Sequence, residues 1–110
     1  MASTVIQERT YRVPPVLLIG AVLTTFGRLN AQLEHQNLAA GHIVGVVGRG
    51  FLAPKSELAV VINELGNQES RLMLYWRARK FGGDRALIGA FLASVDNLVA
   101  NILRRREQEA

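Results

Sequence analysis

The sequence predicts a mainly α-helical domain of three long helices, the middle one kinked or broken near Gly66, with an extended N-terminal arm and a dimeric helical assembly. Three apolar runs predict it. After Asp84, which offers an N-cap, Ile88, Phe91, Val95, Leu98 and Ile102 recur at alternating steps of three and four, with Leu87, Leu92, Val99 and Leu103 widening the stripe. Ile19, Val22, Phe26, Leu29 and Leu33 repeat that spacing. Leu58, Ile62, Leu65, Leu72 and Trp76 lie at steps of four, three, seven and four, which makes one seam if a helix runs over residues 55–80. At 110 residues the chain divides into an arm over residues 1–14 and a single helical domain over residues 15–110.

The arm mixes Thr4, Val5, Ile6, Tyr11 and Val13 with charges and ends at Pro14 and Pro15, which stop a helix entering from the N-terminal side. An extended segment or short strand fits it, and a lone strand must find a partner for its backbone groups. Pro15 suits the first turn of a helix, which is expected to run to Asn37. Its first turns, from Val16 to Leu23, are apolar nearly all round, whereas Arg28, Asn30, Gln32, Glu34 and Gln36 face outward later. Gly41, Gly45, Gly48 and Gly50 then punctuate the β-branched run Ile43, Val44, Val46 and Val47, which is either extended or a continuation of the helix. If extended, it is the arm's expected partner.

In the middle helix, Gly66 costs about 1 kcal/mol as an interior residue, and Asn67 offers a fresh start. Phe81, Gly82, Gly83 and Asp84 stop that helix and begin the last. The last helix carries Gly89, Ala90, Ala93, Ser94, Asn97, Ala100 and Asn101 opposite its apolar stripe, short enough for a second helix to approach.

Composition excludes several chemistries. With no cysteine there is no disulfide, thiolate metal site or cysteine nucleophile, and a cytoplasmic location is expected. Residues 1–13 do not read as a signal peptide, and Val16–Phe26 falls well short of the roughly 20 apolar residues of a membrane span. The glycines before Lys55 and Ser56 fail the phosphate-loop pattern at Arg49 and Pro54. His35 and His42 lack a third ligand at metal-binding spacing, and Ser3, Ser56, Ser70 and Ser94 lack a nucleophile-elbow context. Asp84 and Asp96 look like a cap and a polar-face residue. No catalytic set, metal site or cofactor is expected, so a non-enzymatic protein is.

Surplus apolar surface remains. Leu72, Met73, Leu74, Tyr75 and Trp76 are consecutive, and on a helix they project on nearly every side. Leu72, Met73, Tyr75, Trp76 and Arg79 are therefore the expected contacts to a protein partner. Val16, Leu18, Phe91, Val95, Leu98 and Ile102 are the expected self-association residues of a homodimer. Against this, Trp76 falls on the Leu58–Leu72 seam and reads equally as core. The alternative is a small basic helical nucleic-acid binder using Arg77, Arg79, Lys80 and Arg85 beside Tyr75, Trp76 and Phe81, on a net charge of +4. The same arginines are equally explained by a helix C-terminus, as are Arg104, Arg105 and Arg106.

A short, cysteine-free chain read as helical, with the stretch LMLYWRARKF at Leu72–Phe81, resembles the QslA-type quorum-sensing anti-activators. The resemblance implies a dimer that binds a LasR-type transcription regulator and blocks its dimerisation, without touching DNA itself.

Overall fold

Strands, not helices, occupy the middle of the chain. The computed structural model describes residues 4–47, 56–66, 68–78 and 85–109. In chain order these form β1 (Thr4–Tyr11), α1 (Pro15–Arg28), β2 (Gln32–Asn37), β3 (His42–Val47), β4 (Ser56–Gly66), β5 (Glu69–Ala78) and α2 (Arg85–Glu109). The strands make one antiparallel sheet in the order β1-β5-β4-β3-β2. The expectation of a mainly helical, three-helix domain is thereby overturned.

The middle helix fails for a geometric reason. Steps of four bring side chains to one face of a helix, but any even step also brings them to one face of a strand. Ser56, Leu58, Val60 and Ile62 are buried while Glu57, Ala59 and Val61 are only partly so, a period of two that β-branched residues favour. Across the turn, Ser70, Leu72, Leu74 and Trp76 are buried in alternation with Arg71, Met73 and Tyr75. Gly66, at φ 145°, and Gln68, at φ 58°, reverse the chain between the two strands. The residue expected to kink a helix opens a hairpin instead.

The first helix begins where expected, with Pro15 in its first turn, but ends at Arg28 rather than near Asn37. Asn30 takes a left-handed φ of 54°, and the polar run after it becomes the edge strand β2. The glycine-punctuated run Ile43–Val47 is extended, as β3. It does not receive the arm: β1 pairs with β5, from Thr4 opposite Arg77 to Tyr11 opposite Ser70.

Both helices cover one side of the sheet, called here the inner face. Leu18, Val22 and Phe26 of α1 and Leu87, Phe91, Val95 and Val99 of α2 join the inward strand residues in one core. Phe26 lies against Gly45 so closely that a Cβ there would sit 2.7 Å from its ring. Phe91 stacks on Phe26 in turn, at 5.2 Å between centroids and 56° between planes. Near the far end of α2, Arg106 donates to Gln68 at the β4–β5 turn (2.6 Å), so α2 runs back along the sheet antiparallel to β5.

Candidate functional site

Between the inner face and α2 the core is made by Leu58, Val60, Leu72 and Leu74 from the sheet and by Phe91 and Val95 from the helix, all 0–1% exposed. Trp76 belongs to this core because it follows Leu72 and Leu74 at steps of two, in register with Val5 on one side and Leu58 on the other. It is 2% exposed, yet its indole Nε1 has no hydrogen-bond partner among the described residues. A buried donor left unpaired costs about 1–3 kcal/mol, so it marks either strain or a place for an acceptor. Ser56, also buried, lies on the same face one diagonal step away, since it pairs with Ala78 while Leu58 pairs with Trp76. The core at Trp76 is thus apolar with two polar groups.

A second set of contacts fastens α2 to the rest of the core. The Tyr11 hydroxyl donates to Asp96 Oδ1 at 2.7 Å, joining the end of β1 to the middle of α2. Burial raises the Tyr11 pKa well above its ordinary value, and the hydrogen bond to Asp96 and that carboxylate's charge push the same way. Tyr11 is therefore held as a protonated donor. Thr25 and Ser94 share a hydrogen bond of 2.9 Å between α1 and α2, with Arg28 Nη1 donating to Ser94 Oγ at 3.4 Å. Ser70 Oγ donates to the Val13 carbonyl (2.6 Å), which fixes the corner between β1 and α1.

The expected partner-binding residues are divided by the strand. Leu72 and Trp76 are buried in the inner core, Met73 and Tyr75 are half-buried on the opposite, outer face, and Arg79 lies outside the described residues. A single helical contact surface containing them does not exist. Of the expected self-association residues, Leu18, Phe91 and Val95 are 0% exposed inside the chain's own core, Leu98 and Ile102 are half-buried, and Val16 is 71% exposed. The basic stretch named for nucleic acid is described only in part, because residues 79–84 fall outside it. Asp84, the expected N-cap, and the glycines at 48 and 50 fall outside it too. His35 and His42 occupy exposed positions on β2 and β3, and among the described residues no three His, Cys, Asp or Glu side chains cluster as metal ligands. Sequence reasoning missed the Tyr11–Asp96 and Thr25–Ser94 pairs. Their members are 85 and 69 positions apart, and no local spacing announces them.

A sheet folded against a long C-terminal helix, with one strand and one helix leading into it, defines the Bet v1/START-like class of fold. No family model matches the chain. No curated protein matches it either. Among solved structures it is similar to Ara h 8.0201, with a TM-score of 0.68 and 12% identity over 91% of this chain and 99% of that one. It is also similar to the di-domain ARO/CYC StfQ from the steffimycin biosynthetic pathway, with a TM-score of 0.64 and 13% identity over 94% of this chain. The match spans 46% of StfQ, about half its length. At these identities the likeness is one of fold, and it too replaces the helical expectation.

Proposed function

We propose that the chain binds an apolar, ring-bearing small molecule between the inner sheet face and α2, and that the ligand presents a hydrogen-bond acceptor to the Trp76 indole. The observation that carries this reading is the buried Nε1, which has no partner among the described residues, in a largely apolar wall. The fold shared with Ara h 8.0201 and StfQ supports it, since both use the same sheet and helix arrangement. Binding rather than catalysis is the reading favoured. Leu58, Leu74 and Ser56, which adjoin Trp76 on the inner face, carry no titratable group, and general acid–base chemistry needs one within hydrogen-bond reach. Tyr11 and Asp96, the titratable pair at the helix seam, already satisfy one another.

Trp76 is the single tryptophan, so its emission reports on its own surroundings. Titration with polycyclic aromatic ketones and shape-matched hydrocarbons is expected to change that emission, with the ketones bound roughly five- to tenfold more tightly, the worth of one neutral hydrogen bond. Trp76→Phe, followed by ligand fluorescence, is expected to abolish the preference. Equal affinities for ketone and hydrocarbon in the wild type would overturn the reading.

Binding to a LasR-type regulator is carried forward as a separate proposal for the outer sheet face of the monomeric chain, where Met73 and Tyr75 are the accessible members of the expected set and where it would compete with a second copy of the chain. Co-purification that survives Met73→Ala and Tyr75→Ala would remove it.

A further inference from the structure

The outer sheet face has the composition of an interface. Both helices lie on the inner side, so the outward residues of the five strands have no cover within the described chain. A sheet with one solvated face ordinarily alternates apolar inward with polar outward residues. Here the centre of the outer face carries Tyr75, Met73, Ala59, Val61, Val44 and, at 56% exposure, Ile6. Polar and charged groups form the border: Glu8, Arg71, Asn63 and His42. An apolar centre with a polar rim, containing Tyr, Met and Arg, is how protein interfaces are built.

We infer that this face is covered by the same face of a second copy of the chain, about a two-fold axis parallel to the strands and midway between β4 and β5. The strand registers make the face self-complementary about that axis. The rotation sets β5 of one copy over β4 of the other and β1 over β3. In the row Ile6–Tyr75–Ala59–Val44, the large Tyr75 then faces the small Ala59 of the other copy, and Ile6 faces Val44. In the next row Met73 faces Val61, and the carboxylate of Glu8 faces the imidazole of His42. In the row beyond, Arg71 faces Asn63. Each pairing occurs twice by symmetry.

Arg71 and Glu8 pair within the chain at this rim. Arg71 Nη1 reaches Glu8 Oε1 at 3.6 Å, and its Nε is buried with no partner among the described residues. Two sheets stacked in this way stand about 10 Å apart, room for the side chains of both faces to interleave.

Sedimentation of the full chain over about 1 to 100 μM tests the inference, spanning the affinities of ordinary homodimers. A dimer is expected, and Met73→Glu is expected to weaken it by about 100-fold with the far-ultraviolet circular dichroism unchanged, because each copy then buries a carboxylate. His42→Glu, which opposes Glu8, is expected to weaken the dimer roughly tenfold, and adding Glu8→Gln to the same chain, which removes the opposed charge without setting a cation beside Arg71, is expected to restore it. That rescue separates the packing from a folding defect. A wild-type monomer at the highest concentration overturns the inference and leaves the face to a different protein. A dimer indifferent to Met73→Glu, or a double variant no tighter than His42→Glu alone, overturns it as well.

Discussion

On β5, neighbours in sequence have opposite surroundings. Leu72, Leu74 and Trp76 are buried against two helices, whereas Met73 and Tyr75, of similar size and apolarity, are half-buried on a face that no described element covers. Composition does not separate the two sets; the pleat does, by turning alternate side chains to opposite sides of the sheet. The lesson is that an apolar run on a central strand contains two surfaces with two different uses. The inner one is committed to the core, and the outer one is left partly open.

The largest expected effect tests the asymmetry directly. Leu72→Ala is expected to lower the unfolding free energy by about 2–5 kcal/mol, the cost of a cavity among helices and sheet, while Met73→Ala costs less than about 1 kcal/mol in the monomer. Urea unfolding at a concentration where the chain is monomeric reads both, and equal costs would break the comparison. Next comes Gly45→Ala, on the inner side of β3. The added methyl would sit 2.7 Å from the Phe26 ring, so the ring must give way and its packing on Phe91 is disturbed, and a loss of about 1–3 kcal/mol is expected in thermal or chemical unfolding. Unchanged stability would show that Phe26 is not wedged.

Tyr11→Phe is expected to cost about 1 kcal/mol by leaving Asp96 without its donor. Its pH dependence sharpens the point. Burial raises the Tyr11 pKa in the folded chain above the unfolded value of about 10. The unfolded chain therefore releases this proton first, so the stabilisation is complete below pH about 10 and declines as pH rises beyond it. In Tyr11→Phe that part of the alkaline slope should vanish; a slope identical to the wild type would mean the hydroxyl is not held as described. The smallest effect belongs to the α1–α2 link. Ser94→Ala removes the partner of Thr25 and is expected to cost about 0.5–1.5 kcal/mol, read as faster hydrogen exchange of the helical amides near it.

The final helix, its apolar stripe and the start of α1 at Pro15 were legible because each rests on local rules. The stripe Ile88, Phe91, Val95, Leu98 mixes odd and even steps, which only a helix can bring to one side. From Leu58 to Trp76 the spacing was ambiguous, since Leu58, Ile62, Leu72 and Trp76 are all even-numbered steps apart and suit either structure. Leu65, the odd member of that seam, is 45% exposed and lies off the buried face. The core reading of Trp76 was visible in the same seam. That its Nε1 finds no partner among the described residues was not, because satisfaction of a donor depends on everything packed around it.

Sequence alone thus determined that α1 begins at Pro15, that the last stretch is a helix and which residues are apolar enough to seek an interior: prolines and apolar periodicity act within a few residues. Only the tertiary structure decided that β1 pairs with β5, that Tyr11 meets Asp96 across 85 positions, and which half of Leu72–Trp76 faces inward. The physical reason is that strand pairing and burial depend on contacts distant in sequence, whose energies are settled by the whole sheet together and leave no local mark.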